Sequence, residues 1–200
     1  MKDRTIKKTD ILIDCSLTGG RGMAKQGYEL AQAFTERGIK YLMCCDQGFA
    51  YKLRDLGVEP DIIVPTALNR PAAEVISSFE SALKNVDFRY LIKIGARMAG
   101  PRVAYLRKIP YVIVDAALPD RMDSGTENLY SKPVFLGAQE YFLTTQFTWR
   151  YPDRFPELGN VTVVTYPMSQ RTKDILTELR LTPDAAIAER VRSFVPEVKN

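Results

Sequence analysis

The sequence predicts an α/β protein, a Rossmann-like three-layer sandwich with a mainly parallel sheet of about seven strands. Short β-rich runs alternate along the chain with segments of helical periodicity, which favours βαβ units joined by right-handed crossovers. Most of the β-rich runs are almost continuously apolar, as strands are when helices cover both faces of their sheet. The chain has 200 residues, 46% of them hydrophobic and 26% charged, which is typical of a globular protein with a sizeable core.

Seven β-rich runs are predicted as strands. They cover residues 11–15, 39–45, 61–64, 90–94, 111–114, 141–145 and 161–165. Their branched and aromatic side chains favour extended backbone, and Gly or Pro residues lie between many of them. The regular spacing leaves room for a helix between most neighbouring strands.

Four helices are predicted between the strands. The first covers 23–37 and ends before a glycine that can form its C-cap; its apolar stripe is Ala24, Leu30, Ala31 and Phe34. The second covers 47–56 and also ends before a glycine. The third has Pro71 in its first turn; its apolar face is Val75, Ile76, Phe79 and Leu83. A short fourth helix covers 101–107.

Residues 115–138 interrupt this alternation. The interval contains two prolines, two glycines and scattered charge, and is predicted to be a long surface loop. Loops at the carboxyl end of a parallel strand often carry function. Further along, Ser169 can cap one helix, and residues 182–184 can begin another with a cap, a proline and an acid.

Three segments are expected along the chain. Residues 1–9 form a short basic leader, residues 10–168 form the Rossmann-like domain, and residues 169–200 form C-terminal helices. These last helices are either a linker or the beginning of a second domain.

Composition excludes several classes of function. The chain has no histidine, which excludes a Ser-His-Asp triad, a Cys-His pair and a His-ligated zinc within it. The net charge of +4 is too small and too dispersed to indicate a nucleic-acid partner. No apolar run approaches the ~20 residues of a membrane span. No metal site is predicted.

The three cysteines all lie in apolar runs. Cys15, Cys44 and Cys45 are an odd number, which indicates reduced, buried thiols and a cytoplasmic protein. Adjacent residues of a strand point to opposite faces, so Cys44 and Cys45 are poor candidates for one metal or one disulfide.

A glycine-rich segment follows the first predicted strand and precedes the first predicted helix. Such a layout exposes backbone N–H groups at a positive helix end, and glycine lets a ligand approach the backbone. The predicted substrate-binding residues here are Thr18, Gly19, Gly20, Arg21, Gly22 and Met23. The spacing is neither G-x-G-x-x-G nor a P-loop. The alternative interpretation is a tight turn that needs glycine for its backbone alone.

Arginines near these predicted loops are candidates for holding an anionic ligand group, since a guanidinium makes forked contacts to phosphate or carboxylate. Arg21 lies inside the glycine-rich segment, and Arg97 and Arg102 follow the fourth strand. The alternative for each is a solvated surface side chain.

Several phrases resemble the N-terminal half of GT-B glycosyltransferases, in particular the MurG-like and macrolide-type group. Gly19-Gly20-Arg21-Gly22 is followed by YELAQAFTERG at 28–38, which is similar to the first loop and helix of that family. The phrases at 53–59, 102–112 and 158–167 are similar to later segments of the same half, in the same order. The resemblance covers residues 11 to 167.

The resemblance implies the acceptor-binding domain of a two-domain transferase. In the family, the C-terminal domain holds most of the nucleotide-sugar donor, so no cofactor is expected in this chain. The chain stops where that second domain would begin. We therefore expect a small-molecule acceptor, and activity only with the missing C-terminal domain or a partner subunit.

One position departs from the family pattern and concerns the catalytic base. Many relatives carry histidine at a site like Met23, and methionine cannot accept a proton. Two carboxylates at the carboxyl ends of predicted strands, Asp14 and Asp115, are the candidate bases for activating an acceptor hydroxyl. The alternative for each is a solvated loop acid or a helix cap.

Two other functions remain open from the sequence. One is a stand-alone small-molecule or nucleotide-binding domain without catalysis. The other is a non-catalytic subunit that docks a catalytic chain through an exposed apolar face near residues 141–149 and the C-terminal helices.

Overall fold

A computed structural model describes residues 6–17, 21–115, 122–143 and 161–163 of the chain. Its strands are β1 (Lys7–Asp14), β2 (Tyr41–Asp46), β3 (Ile62–Val64), β4 (Val86–Ile94), β5 (Tyr111–Asp115), β6 (Glu140–Leu143) and β7 (Val161–Val163). All pairings are parallel, and the strands form one sheet in the order β3-β2-β1-β4-β5-β6-β7. The predicted fold class is confirmed.

Five helices connect the strands of the described residues. They are α1 (Arg21–Glu36), α2 (Ala50–Arg54), α3 (Ala72–Leu83), α4 (Ala99–Leu106) and α5 (Lys132–Leu136). The predicted stripe of α3 is confirmed, since all four of its apolar residues are buried. Burying side chains of this size contributes about 1.5–3 kcal/mol each. The helices predicted within 169–200 lie outside the described residues.

Two strands begin earlier than the apolar runs predict. β1 begins at Lys7 and β4 at Val86, and these two residues are partners in the register of the two strands. Polar side chains such as Asp87 and Arg89 alternate with buried ones in this part of β4. Because one face of β4 is solvated there and the first residues of β1 are exposed on both faces, the sequence lacks the continuous apolar run that marks the rest of each strand.

The expected surface loop at 115–138 is wrong in its second half. α5 lies within it, with Val134 and Phe135 buried in the core. The Ser131 side chain accepts a hydrogen bond from the Val134 N–H at 3.3 Å, and Pro133 lies in the first turn. A serine cap and an early proline are helix-start signals, and the many loop-forming residues before them obscured these signals.

The core has two parts, one on each face of the sheet. Cys44 belongs to the cluster packed with α3 and α4, whereas Cys45 belongs to the cluster packed with α1 and α2. The opposite orientation predicted for these two thiols is confirmed, and all three cysteines are buried and outside disulfides. No helix in the described part of the chain has the length and apolar character needed to cross a bilayer.

The strand order creates a crevice between β1 and β4. The chain leaves β1 toward β2 on one side of the sheet, and β4 returns to the other side of β1. At such a switch point, the loops that leave the two strands diverge, and open α/β sheets bind their ligands there. The glycine-rich segment follows β1 at this point.

Candidate functional site

Asp14 is the last residue of β1 and lies at the switch point. Its register partner on β4 is Lys93, and both side chains are fully buried. Lys93 Nζ lies 3.3 Å from Asp14 Oδ1. Since parallel pairing places the two side chains on one face of the sheet, the register brings the ion pair together.

The pair holds the residue that follows β1. The Ser16 N–H donates to Asp14 Oδ1 at 2.8 Å, and the Ser16 hydroxyl donates to the same oxygen. Lys93 Nζ donates to the Ser16 carbonyl at 2.5 Å and lies 3.3 Å from Ser16 Oγ. An ammonium has three donors, so each of them has an acceptor here.

Asp46, at the end of β2, holds the next residue. The Leu17 N–H donates to Asp46 Oδ2 at 2.6 Å. Burial raises the pKa of the Asp46 carboxyl, and the Leu17 hydrogen bond and the positive charge of Lys93 oppose that shift. Asp46 therefore takes up a proton at a higher pH than a free aspartate does.

Leu17 adopts a backbone conformation that residues with a Cβ rarely adopt. Its φ is +56°, in the left-handed region. Its carbonyl accepts a hydrogen bond from Arg97 Nη1 at 3.1 Å, and the Arg97 guanidinium lies 5.8 Å from the centre of the Tyr130 ring. Arg97 therefore joins the loops that follow β1, β4 and β5.

Four side chains thus bond the backbone immediately before the glycine-rich segment. We call them the loop clamp: Asp14, Asp46, Lys93 and Arg97. Their four bonds take up the N–H and carbonyl groups of Ser16 and Leu17. The clamp fixes the direction in which the chain enters the segment.

The second carboxylate oxygen of Asp14 faces the N-terminus of α4. A Cβ added to Gly100 would lie 2.0 Å from Asp14 Oδ2, so only glycine fits at this position. Among the residues that the structure describes, Oδ2 has no hydrogen-bond partner. The positive end of α4 therefore stabilises this oxygen through the field of the helix.

The fold is similar to that of a known protein. A crystal structure of MurG from Acinetobacter baumannii matches it with a TM-score of 0.53 at 14% sequence identity. The chain has a GT-B glycosyltransferase-like fold. The match covers 82% of the chain and 47% of MurG, so the chain spans about half the length of that protein. No family model matches the sequence, and no curated protein does.

The structure describes only part of the predicted glycine-rich site. Thr18, Gly19 and Gly20 lie outside the described residues, as does the side chain of Arg21, the first residue of α1. A Cβ added to Gly22 would meet none of the described residues within 4 Å. Met23 packs against the core cluster under α1, which agrees with a packing role.

The two candidate bases lie at the carboxyl ends of β1 and β5, with β4 between these strands. Asp14 is buried, whereas Asp115 is partly exposed as the last residue of β5. The residues that follow Asp115, 116–121, lie outside the described part of the chain. A catalytic role for either carboxylate stays a prediction.

Arg102 does not have the arrangement expected of an anion-binding arginine. Its guanidinium donates to Glu80, to Glu127 at 2.8 Å and to the Thr126 carbonyl at 2.8 Å. Two carboxylates already neutralise it, and it ties the loop before α5 to α3 and α4. In the described ranges, no group of three or more His, Cys, Asp or Glu side chains is arranged to hold a metal ion.

Sequence reasoning missed two members of the clamp. Lys93 stands inside an apolar run, where a lysine signals a buried partner, and the register gives that partner as Asp14. Asp46 directly follows the second predicted strand, 39–45, and is the last residue of β2 in the structure. A charged residue at the carboxyl end of an apolar strand was the available signal. It was used to predict Asp14 and Asp115 but not Asp46 or Lys93.

Proposed function

We propose that the chain is the acceptor-binding half of a GT-B-type glycosyltransferase, which transfers a sugar from a nucleotide-sugar donor. The observation that carries the proposal is the switch point between β1 and β4, with the glycine-rich segment leaving β1 there. The similarity to about half of MurG supports a two-domain enzyme whose second domain is supplied by a longer chain or by a partner subunit. The buried, reduced cysteines support a cytoplasmic location.

The proposed acceptor surface is the carboxyl edge of the sheet. It comprises residues 18–23 and the loops after β4 and β5. The second domain holds the donor across a cleft, and closure of the two domains excludes water during transfer. No cofactor is expected in this half.

The two carboxylates take different parts in this proposal. Asp115 is partly exposed at the proposed surface, which supports it as the base that removes the proton of the acceptor hydroxyl. Asp14 is buried with Oδ1 already accepting several hydrogen bonds, which supports a part in holding the loop.

The size of the native protein tests the two-domain proposal first. An immunoblot of the source cells with an antibody to this chain is expected to show a band near twice 22.6 kDa. If the band lies at 22.6 kDa instead, purification with the same antibody is expected to bring down a second chain. That material is then assayed with a panel of radiolabelled nucleotide-sugars. A 22.6 kDa protein that purifies alone and transfers no sugar rejects the proposal.

The part of Asp115 is tested in the same assay. Asp115→Asn is expected to lower kcat by about 10²–10⁴-fold, as the loss of a general base does, with little change in acceptor KM. Asp87→Asn is the matched control, because Asp87 is exposed near the amino end of β4, at the opposite edge of the sheet. Equal kcat values for the two variants would remove Asp115 from the reaction.

A stand-alone nucleotide-binding domain is the second candidate, because switch points next to a glycine-rich turn also bind nucleotides. It predicts saturable binding of a nucleotide to this chain alone, lost in Gly20→Trp. Lys84→Trp is the control, since Lys84 is exposed at the end of α3, at the opposite edge of the sheet. The acceptor-binding half predicts no saturable binding of UDP or ATP to any of the three proteins.

A further inference from the structure

A cleft lies at the amino edge of the sheet, opposite the proposed acceptor surface. It has a volume of about 470 Å³ and lies between the end of α4, the beginning of β5 and the turn that joins α5 to β6. Clefts of this size commonly hold small molecules. We call it the α4–β5 cleft, and the lining residues that matter below are Tyr105, Lys108 and Gly137.

Two tyrosine rings pack around Gly137 in the wall of the cleft. A Cβ added to Gly137 would lie 2.7 Å from the Tyr111 hydroxyl and 2.8 Å from the Tyr105 ring, so only glycine lets both rings approach the chain here. Tyr105 is nonetheless 37% exposed, and Leu136, next to Gly137, is 44% exposed. The cleft therefore presents an aromatic ring on which a flat apolar ligand can stack.

Lys108 occupies a backbone position where two other helices of this chain have glycine. Its φ is +57°, its N–H donates to the Tyr105 carbonyl at 3.1 Å, and the next N–H donates to the Ala104 carbonyl at 2.9 Å. α1 and α2 end in the same pair of bonds, with Gly38 and Gly57 at the corresponding position. Glycine adopts this left-handed backbone without strain, whereas lysine does not.

Stabilisation of α4 does not explain a lysine at this position. A cation at the carboxyl end of a helix interacts favourably with the helix dipole, but Arg107, the C-cap residue, already supplies one. Lys108 is exposed, and no residue that the structure describes pairs with its ammonium or accepts a hydrogen bond from it. The ammonium is therefore available to an anionic group of a ligand in the cleft.

We propose that the α4–β5 cleft binds a small aromatic carboxylate, whose ring stacks on Tyr105 and whose carboxylate pairs with Lys108. An aliphatic acid would leave the tyrosine ring uncovered, and a neutral aromatic molecule would leave the ammonium without a partner. The two features together select this class of ligand. The cleft and the proposed acceptor surface lie at opposite edges of the sheet, so this site is independent of the proposed function.

The probe for the first test is 2-naphthoate, which has a flat fused ring and one carboxylate. Binding is followed by NMR at the Gly137 amide, which lies in the wall of the cleft. The amide signal is expected to shift saturably, with a Kd of about 1 mM or lower for a ligand of this size. A Gly137 signal that does not move with up to about 10 mM probe overturns the proposal.

Two related probes test the class of ligand. The neutral 2-naphthamide lacks the charge, and cyclohexanecarboxylate lacks the aromatic ring. Each is expected to bind about threefold to fivefold more weakly than 2-naphthoate, as the loss of one exposed ion pair or one ring contact predicts. Equal affinities for the three probes would overturn the assignment of an aromatic carboxylate.

Lys108→Gly separates binding from folding. Because glycine adopts the left-handed backbone freely, the urea midpoint of this variant is expected to equal or exceed that of wild type. Its affinity for 2-naphthoate is expected to fall about threefold to fivefold, whereas its affinity for 2-naphthamide stays within about twofold. A lysine with a merely structural role would change stability, or change both affinities alike, and that result would overturn the proposal.

Lys40→Ala is the matched control for the charge. Lys40 is also exposed, but it directly precedes β2, three strands away from β5 in the sheet. Its removal is expected to leave both affinities within about twofold of wild type, because exposed charges at that distance are screened by salt. If Lys40→Ala weakens 2-naphthoate binding as much as Lys108→Gly does, the effect is one of net charge and the proposal is rejected.

Tyr105→Leu tests the stacking surface. It is expected to lower the affinity for 2-naphthoate to about that for cyclohexanecarboxylate, because the ring contact is lost while an apolar side chain remains. Tyr51→Leu is the control, since Tyr51 is 55% exposed on α2. Unchanged binding in Tyr105→Leu, or equal loss in Tyr51→Leu, would overturn the part assigned to Tyr105.

Discussion

Gly22 and Gly100 each occupy the second position of a helix, in α1 and α4. Replacing Gly100 by alanine puts a methyl group against the Asp14 carboxylate, and disruption of this buried pair is expected to cost about 3–5 kcal/mol. Gly22→Ala is expected to change stability by no more than about 1 kcal/mol, toward greater stability, because alanine has the higher helix propensity and its Cβ would meet no described residue within 4 Å. Urea unfolding measures both, and similar free energies of unfolding would contradict the close approach at Gly100.

Asp46 sets a pH dependence at the same scale. Its raised pKa means that the folded state takes up the proton at a higher pH than the unfolded state, whose value is near 3.8. Wild-type stability therefore falls, relative to Asp46→Asn, as the pH rises through the window from 3.8 to the folded pKa. The difference amounts to about 1.4 kcal/mol per unit by which the pKa is raised. Urea unfolding of both proteins across this window measures it, and a gap that widens in favour of wild type has the wrong sign.

Some residues of the site can be predicted from their own place in the sequence, whereas others can be recognised only from the contacts they make in the fold. Asp14 was predicted from its place at the carboxyl end of an apolar strand. The role of Lys93 is evident only from the register of β1 with β4, which pairs it with Asp14. The need for glycine at position 100 is evident only from the packing of α4 against Asp14. Spacing along the chain carries no information about these tertiary contacts, which is why the clamp was not predicted as a unit.

At the scale of the element, α5 depends on its first turn. It has five residues, too few to be stable by propensity alone, and the Ser131 cap satisfies an N–H that would otherwise be buried. Ser131→Ala is expected to cost about 1 kcal/mol of stability in urea unfolding. Ser77→Ala, at an exposed position of α3, is the control and is expected to be neutral or slightly stabilising. An equal effect of the two substitutions would show that the cap contributes nothing.

Helices and strands were predictable where their buried residues form an unbroken apolar run or a regular apolar stripe in the sequence. α3 has its predicted apolar face, and β5 begins at the predicted Tyr111. The amino-terminal half of β4 was missed because one of its faces is solvated, and that of β1 because residues on both of its faces are exposed. α2 is shorter than its pattern predicted, since only Ala50–Arg54 is helical before the turn at Gly57, where φ is +81°.

At the scale of the whole molecule, the thiols report on global unfolding. Burial raises the pKa of all three, that of Cys45 to about 12, and they lie on both faces of the sheet. Native protein is therefore expected to react with a thiol reagent only at the rate of global opening, with all three thiols modified together. Mass spectrometry after brief labelling measures this. Rapid modification of a single thiol in the folded protein would contradict the burial of that residue.

The central place of β1 has a consequence for synthesis on the ribosome. Its first neighbour, β2, follows closely, but Lys93 lies 77 residues beyond Ser16. A nascent chain that ends before β4 holds Asp14 without its ammonium partner, so its carboxylate must stay hydrated and the growing sheet cannot close around it. The domain therefore begins to fold only once Lys93 has emerged, and until then the apolar runs around β1 stay exposed to chaperones.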